Sequence, residues 1–394
     1  SSINKVNMDT VIDLGSSKVK ITTFDQKKKI ISHLSEKIDD KENFEEISSI
    51  IKKLIKNSEK EISNHIENIN LLFDDSNFFT IDISIKKRID HIKLPNDLKT
   101  EACRECTQII NSYYKDLKII QFFTSCIKVD KIELKKIPND LKDHSDIIFE
   151  FKFLCISIEN YSHLKNIFSK NNLEIKNTFC SSVVRSFNYI NNFKNEKYIA
   201  FLDIGFLRSS LILFRDGSLH LFKNIPVGGQ SITKDISYIM KIDLKDSEEI
   251  KHLFNKSETD FSYYNEIKQK EDNLTKKLIT KKISIDLLKK VILARVEEIF
   301  NLLFEDVKIS ETIDKDEILL VLIGGGAKLF DKNSFNFESS NNFKDIIFYD
   351  ETDKEICKSG LEYALKYNLE KENFIKNNKK RGIFERFFNL FQKI

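Results

Sequence analysis

Thr10-Val-Ile-Asp-Leu-Gly-Ser-Ser-Lys-Val-Lys-Ile-Thr-Thr-Phe24 reads as an apolar strand, a tight polar turn and a second apolar strand. Hydrophobic residues on both sides of Gly15-Ser16-Ser17 make it a hairpin. Tyr198-Ile-Ala-Phe-Leu-Asp-Ile-Gly205, followed by Phe-Leu-Arg-Ser-Ser-Leu-Ile-Leu-Phe214, repeats the plan of strand, Asp-x-Gly, turn and strand. Asp216-Gly217 then turns the chain into a third strand, Ser218 to Phe222. Two Asp-x-Gly hairpins half a chain apart indicate an internal duplication, and so two related α/β domains.

The length agrees with that division. A chain of 394 residues exceeds what one hydrophobic core serves. Its 41% apolar and 11% aromatic content excludes disorder over most of the length. Lys plus Arg number 64 against 61 Asp plus Glu, a net charge of +3, which lacks the basic excess of a nucleic-acid binder. The six cysteines, at 103, 106, 126, 155, 180 and 357, lie in apolar surroundings with no signal-type segment before them, so a reduced cytosolic compartment is expected. Cys103-x-x-Cys106 lacks a second Cys pair or a spaced His pair, and it reads as two thiols on a helix face. No apolar run approaches the ~18 residues of a spanning helix.

Between the hairpins, Phe44, Ile47, Ile50, Ile51, Leu54, Ile55, Ile62 and Ile66 recur at helical spacing, which predicts a helix over 43–66. Residues 77–160 differ in character. Strands are predicted at Phe78–Ile85, Ile119–Ile127 and Ile147–Ile158 around a helix near Glu101–Tyr114, and they form an inserted subdomain with its own core. Residues 230–308 read as mostly helical, ending in a helix over Leu287–Val307, and a strand at Glu317–Ile323 runs into Gly324-Gly325-Gly326. The expected division is 8–76 with 161–197 as the first domain, 77–160 as its insert, 198–229 with 309–367 as the second domain, 230–308 as a helical subdomain, and 368–382 as a linker.

An Asp at the end of a buried strand, followed by a Gly/Ser turn, suits phosphate chemistry: turn amides and hydroxyls donate to phosphate oxygens, and the carboxylate holds a hydrated Mg²⁺ through water. Asp13 with Gly15, Ser16, Ser17 and Lys18 fits that role, and Asp203 with Gly205 fits it in part. The triglycine lets backbone approach a flat base, although such a turn also serves simply to leave a strand.

With these motifs in order, the sequence resembles the actin-like ATPase superfamily, and within it the FtsA family. Val11 to Val19 is similar to the first phosphate motif, Phe201 to Gly205 to the second, and Val321 to Ala327 to the adenosine motif. Lys223 to Ile236 resembles the segment leaving the second sheet, and Asp246 to Lys251 the acidic helix after it. The block at 77–160 stands where that family carries its own subdomain. The resemblance implies an α/β actin-like fold of two related sheet-and-helix domains, with the FtsA-type insert in the first.

It also implies ATP and Mg²⁺ as cofactors. Asp13 and Asp203 would organise the metal, Gly15, Ser16, Ser17, Lys18 and Gly205 would touch phosphates, and Gly324, Gly325 and Gly326 would back the adenine. Glu248 and Lys251 would contact the ribose, the other reading being a solvated i,i+3 pair. The pattern departs from the family at Phe206-Leu207-Arg208, where Gly-Gly-Thr is usual, and at Asp74-Asp75-Ser76, where a small residue and Gly are usual. Arg208 offers a compensating charge, and ATP binding with weak or no hydrolysis is expected.

From Lys379 to Ile394 the chain carries five basic residues and one acid. On a helical wheel Ile383, Phe384, Phe387, Phe388, Leu390, Phe391 and Ile394 fall within an arc of about 160°. This is the pattern of a helix lying in a bilayer interface, and it is expected to tether residues 383–394 to an anionic membrane surface. The resemblance then implies a division protein on the inner face of the cytoplasmic membrane at the septum. It would associate with itself in head-to-tail filaments, anchor the FtsZ tail through Arg295 and Glu298, and recruit late division proteins through the insert. For Arg295 a solvated charged face is the other reading. A type IV pilus assembly adaptor of the same fold and an actin-fold phosphotransferase are the alternatives.

Overall fold

The computed structural model describes residues 8–40, 43–89, 95–134, 137, 144–193, 195–259, 276–305, 313–329 and 343–369. The first sheet contains β1 (Asp9–Leu14), β2 (Lys18–Phe24), β3 (Ile30–Lys37), β4 (Asn68–Phe73) and β9 (Glu174–Cys180), in the order β3-β2-β1-β4-β9. The second contains β10 (Tyr198–Ile204), β11 (Ser209–Arg215), β12 (Ser218–Ile225), β13 (Ile318–Ile323) and β14 (Asp345–Phe348), in the order β12-β11-β10-β13-β14. Each is an antiparallel meander continued by parallel strands on the far side of its first strand. A register shift even recurs in both second strands, between Thr23 and Phe24 and between Leu213 and Phe214. The duplication read from the Asp-x-Gly hairpins is thus a duplication of whole sheets, the two-sheet plan expected of an actin-like fold.

The parallel strands are buried on both faces, so they carry continuous apolar runs such as Ile318–Ile323. The predicted helix at 43–66 is α1 (Phe44–Ile62), started by Asn43, whose side chain accepts from the Glu46 amide. It buries Ile47, Ile50, Ile51, Leu54 and Ile55 against the first sheet.

The insert is a separate sheet of β5 (Phe79–Arg88), β6 (Leu117–Val129), β7 (Ile132–Leu134) and β8 (Asp146–Ser157), ordered β5-β8-β6-β7 and covered by α2 (Pro95–Tyr113). Cys103 and Cys106 face its apolar core beside Phe149 and Phe151. Burial pushes the Cys103 thiol up to about 12, as expected of packed rather than reactive cysteines. From β8 the chain runs into α3 (Ile158–Ser169), β9 and α4 (Ser181–Tyr189), which crosses to the second half. There Phe187 stacks on Phe123 of the insert at 5.3 Å and meets Phe214 of β11 edge-on at 4.9 Å. Aromatic packing therefore ties both halves and the insert together.

On the second half lie α5 (Gly229–Met240), α6 (Leu244–Thr259) and α7 (Ile285–Phe304). The last described helix, α8 over 353–369, departs from the expected division. Sequence order placed it with the second domain, yet Ile356, Cys357, Leu361 and Ala364 pack on Val11, Leu72 and Phe179 of the first sheet. Gly360 makes the approach possible, since a Cβ there would stand 2.8 Å from Leu72. Residues 370–394, with the linker and the amphipathic stretch, lie outside the described residues, and no described helix is long and apolar enough to cross a membrane.

Candidate functional site

The two Asp-x-Gly turns face each other between the sheets. Asp13 is the penultimate residue of β1 and is buried. Lys20, its register partner on β2, donates to Oδ2 at 2.6 Å, and Ser181 at the start of α4 donates to Oδ1 at 2.8 Å. Burial pushes the Asp13 carboxyl up, but Lys20 and Arg185 outweigh it and hold the group below its ordinary value.

Asp203 is the penultimate residue of β10 and is 1% exposed. Its Oδ2 accepts from Arg185 Nη2 at 2.7 Å and from Arg208 Nη2 at 2.8 Å. Burial again opposes ionisation, and the two guanidinium groups overcome it, leaving Asp203 below its ordinary value. Arg185 reaches on to both oxygens of Glu351 at 2.8 Å, while Arg208 pairs with Asp74 at the end of β4 and donates to Ser210 at 2.7 Å. Glu351 also accepts from Tyr189 and from the Gly324 amide, both at 2.8 Å. Asp74 also accepts from the Ser182 hydroxyl at 2.9 Å. The buried chain of charges is therefore Asp74–Arg208–Asp203–Arg185–Glu351, and it crosses from one half to the other.

The turn backbones are also committed. The Gly15 amide donates to Lys18 O at 3.0 Å and the Gly205 amide to Arg208 O at 2.9 Å, closing matched turns. The first two amides of α5, Gly229 and Gln230, donate to the carbonyls of Gly205 and Phe206 at 2.9 and 2.7 Å. A helix N-terminus that can receive an anion is here capped by backbone. Across the cleft the Leu207 amide lies 3.4 Å from Ser16 Oγ as its donor, and Lys18 pairs with Asp353 at 2.7 Å. Ser17 is exposed, and its carbonyl accepts from Ile38 at 2.9 Å.

Glu248 and Lys251, both on α6, are not a solvated pair. Lys251 is 5% exposed and donates to Gly229 O at 2.9 Å, Thr233 Oγ1 at 2.8 Å and Glu248 at 2.8 Å. Burial lowers the Lys251 pKa. Burial acts to raise Glu248, yet hydrogen bonds from His252, Lys251 and Thr233 bring it to about 2. The pair ties α6 to α5, and Lys251 lies 5.7 Å from the Phe206 ring centroid. Gly324, with φ of +89°, packs against the end of β10, where a Cβ would stand 2.7 Å from Ile204 O. Gly326 is pressed on the same residue, whereas a Cβ on Gly325 meets nothing within 4 Å.

These residues do not fit a magnesium–nucleotide. The carboxylates expected to hold the metal already accept from three cations, the buried Arg185 and Arg208 and the part-buried Lys20, and no described group of three His, Cys, Asp or Glu side chains is placed to hold an ion. Arg208, expected to offset its bulky neighbours beside a phosphate, is itself held by Asp203, Asp74 and Ser210. On α7, Arg295 is held by Asp235 of α5 at 2.6 and 2.8 Å and by Glu298 at 2.5 Å. Lys20, Asp74, Arg185 and Glu351 were not among the expected site residues. The hairpin register points to Lys20; no local pattern marks Arg185 or Glu351.

Residues 200–346 match the family model described as Cell division protein FtsA. A chain of the PilM-PilN type IV pilus biogenesis complex superposes with a TM-score of 0.58 at 13% identity, over 91% of this chain and 98% of that one. MreB5 of Spiroplasma citri, bound to AMPPNP, gives 0.49 at 13% identity, over 93% and 99%. The ethanolamine utilization protein EutJ from Carboxydothermus hydrogenoformans gives 0.47 at 11%, over 90% and 89%. No curated protein matches the sequence. Residues 200–346 are thus FtsA-like in sequence, and the chain as a whole has the actin-like fold.

Proposed function

We propose that the protein is a membrane-tethered division scaffold of FtsA type, which associates with itself on the inner face of the cytoplasmic membrane and links the FtsZ polymer to it. The observation that carries this reading is the FtsA match over 200–346, a span holding the second hairpin, α5 to α7 and the triglycine turn. The amphipathic pattern from Ile383 to Ile394 supplies the tether, with basic residues for an anionic leaflet. A single such helix binds reversibly, and several copies on one filament bind far more tightly. The role is adhesion rather than turnover, in keeping with carboxylates that are all committed to neighbouring cations.

FtsZ would dock on the helical subdomain beside Arg295. Its pairing with Asp235 places the guanidinium at the α5–α7 seam, so an acidic peptide would compete with Asp235 for it. The test is co-sedimentation with anionic vesicles of the full chain and of a chain ending at Tyr367, each with and without FtsZ. The reading predicts that FtsZ pellets only with the full chain. Equal pelleting of both chains, or of neither, contradicts it.

A further inference from the structure

We infer that the cleft between the two sheets is held closed by the chain's own buried cations in place of a metal–nucleotide, so that the actin-type arrangement forms and persists without nucleotide. The inference rests on the FtsA-type reading only for the ligand expected at Asp13 and Asp203.

Each cation in the cleft is already paired. Asp13, Asp74, Asp203 and Glu351 face Lys20, Arg185 and Arg208, four carboxylates against three cations. A triphosphate adds negative charge, and no buried cation in this group is unengaged to receive it. A divalent ion needs carboxylate oxygens, and on Asp203 one oxygen already serves two guanidinium groups while the other lies against Gly324. Expelling a guanidinium leaves it buried without its partner, which is the costly way to break such a pair. Among the described buried atoms of Arg185, only Nε lacks a partner. One N–H donor is too little to recruit a triphosphate.

The space is taken as well as the charge. Ser16 and Leu207, from the two turns expected to grip phosphates from opposite sides, are themselves within hydrogen-bond reach. Gly228 sits so close behind the second turn that a Cβ there would meet Gly205 O at 2.5 Å and Arg208 N at 2.8 Å. Arg208 belongs to the second half and Asp74 to the first, while Arg185 on the crossing helix joins Asp203 to Glu351. The ionic chain thus spans the seam between the two halves.

The test uses the full chain alone, without vesicles or FtsZ, so that its outcome is independent of the scaffold reading. Titration calorimetry with ATP and Mg²⁺, thermal unfolding, and hydrogen exchange over 203–210 and 324–326 are measured with and without millimolar nucleotide. No saturable heat, an unchanged midpoint and unchanged exchange are expected. Saturable binding, or a midpoint that rises by a few degrees as for a ligand at ~100 times its Kd, overturns the inference. In R208A, exchange over both segments without nucleotide should quicken at least ~10-fold, as a loss of about 1.4 kcal/mol requires, while the insert keeps the parent's rates. Parent-like exchange in R208A contradicts the lock. If R208A does not fold, R208K retains the charge without the fork; faster exchange there supports the lock and parent-like exchange refutes it.

Discussion

The β1–β2 and β10–β11 hairpins share a register, a turn bond of 3.0 or 2.9 Å and a penultimate buried Asp, but they differ in where the neutralising cation comes from. In the first, Lys20 projects from the opposing strand and serves Asp13 alone. In the second, Arg208 projects from the turn itself and serves both its own Asp203 and Asp74 of the other half. A cation on the strand stabilises its own hairpin, whereas a forked cation on the turn joins two domains. The same ancestral-looking turn thereby becomes a local brace in one half and a clasp in the other.

The largest effect expected is at that clasp. Arg208→Ala leaves Asp74 with one fewer cation and Asp203 with Arg185 alone, and should cost about 3–5 kcal/mol in urea unfolding. Lys20→Ala should cost less, since Asp13 keeps Ser181. A loss from Lys20→Ala equal to or greater than that from Arg208→Ala would break the comparison. Next is Gly324→Ala, where a side chain at positive φ also meets Asp203; about 2–3 kcal/mol is expected. Gly325→Ala, with open space around its Cβ, should change the unfolding midpoint little, and a matching loss at both positions would contradict the packing described.

A smaller effect should appear in acid. Glu248 has a lowered folded pKa, about 2 against 4.5, so its contribution is complete above pH 4.5 and is lost as pH falls towards 2. Because Glu248 is only partly buried, the contribution is discounted to about 1 kcal/mol. Glu248→Gln should flatten that part of the stability–pH curve, and an unchanged acid limb would show the α5–α6 tie to be idle. Smallest is Lys18→Ala. Its pair with Asp353 is part-exposed, worth about 0–1 kcal/mol, and a loss beyond that would mean the first turn also clasps the two halves.

Sequence reasoning reached the duplicated sheets because Asp-x-Gly between apolar runs is a local signal, and it reached the insert because 77–160 changes periodicity. It placed α8 wrongly in space, since nothing in 353–369 states which sheet its apolar face meets. At the cleft, Asp13 and Asp203 were legible as strand-end carboxylates, but their partners were not. Arg185 and Glu351 lie 166 positions apart and meet only after both halves have folded. Only Arg208, inside the motif it replaces, announced itself.

The most direct test of the claim that Asp203 is committed to the chain's own cations is a double-mutant cycle on Asp203→Asn and Arg208→Ala, read by urea unfolding without nucleotide. A coupling of about 1–3 kcal/mol between the two positions is predicted. Additive losses, within about 0.5 kcal/mol, would mean that the two groups do not sustain each other and that the cleft is closed by something else.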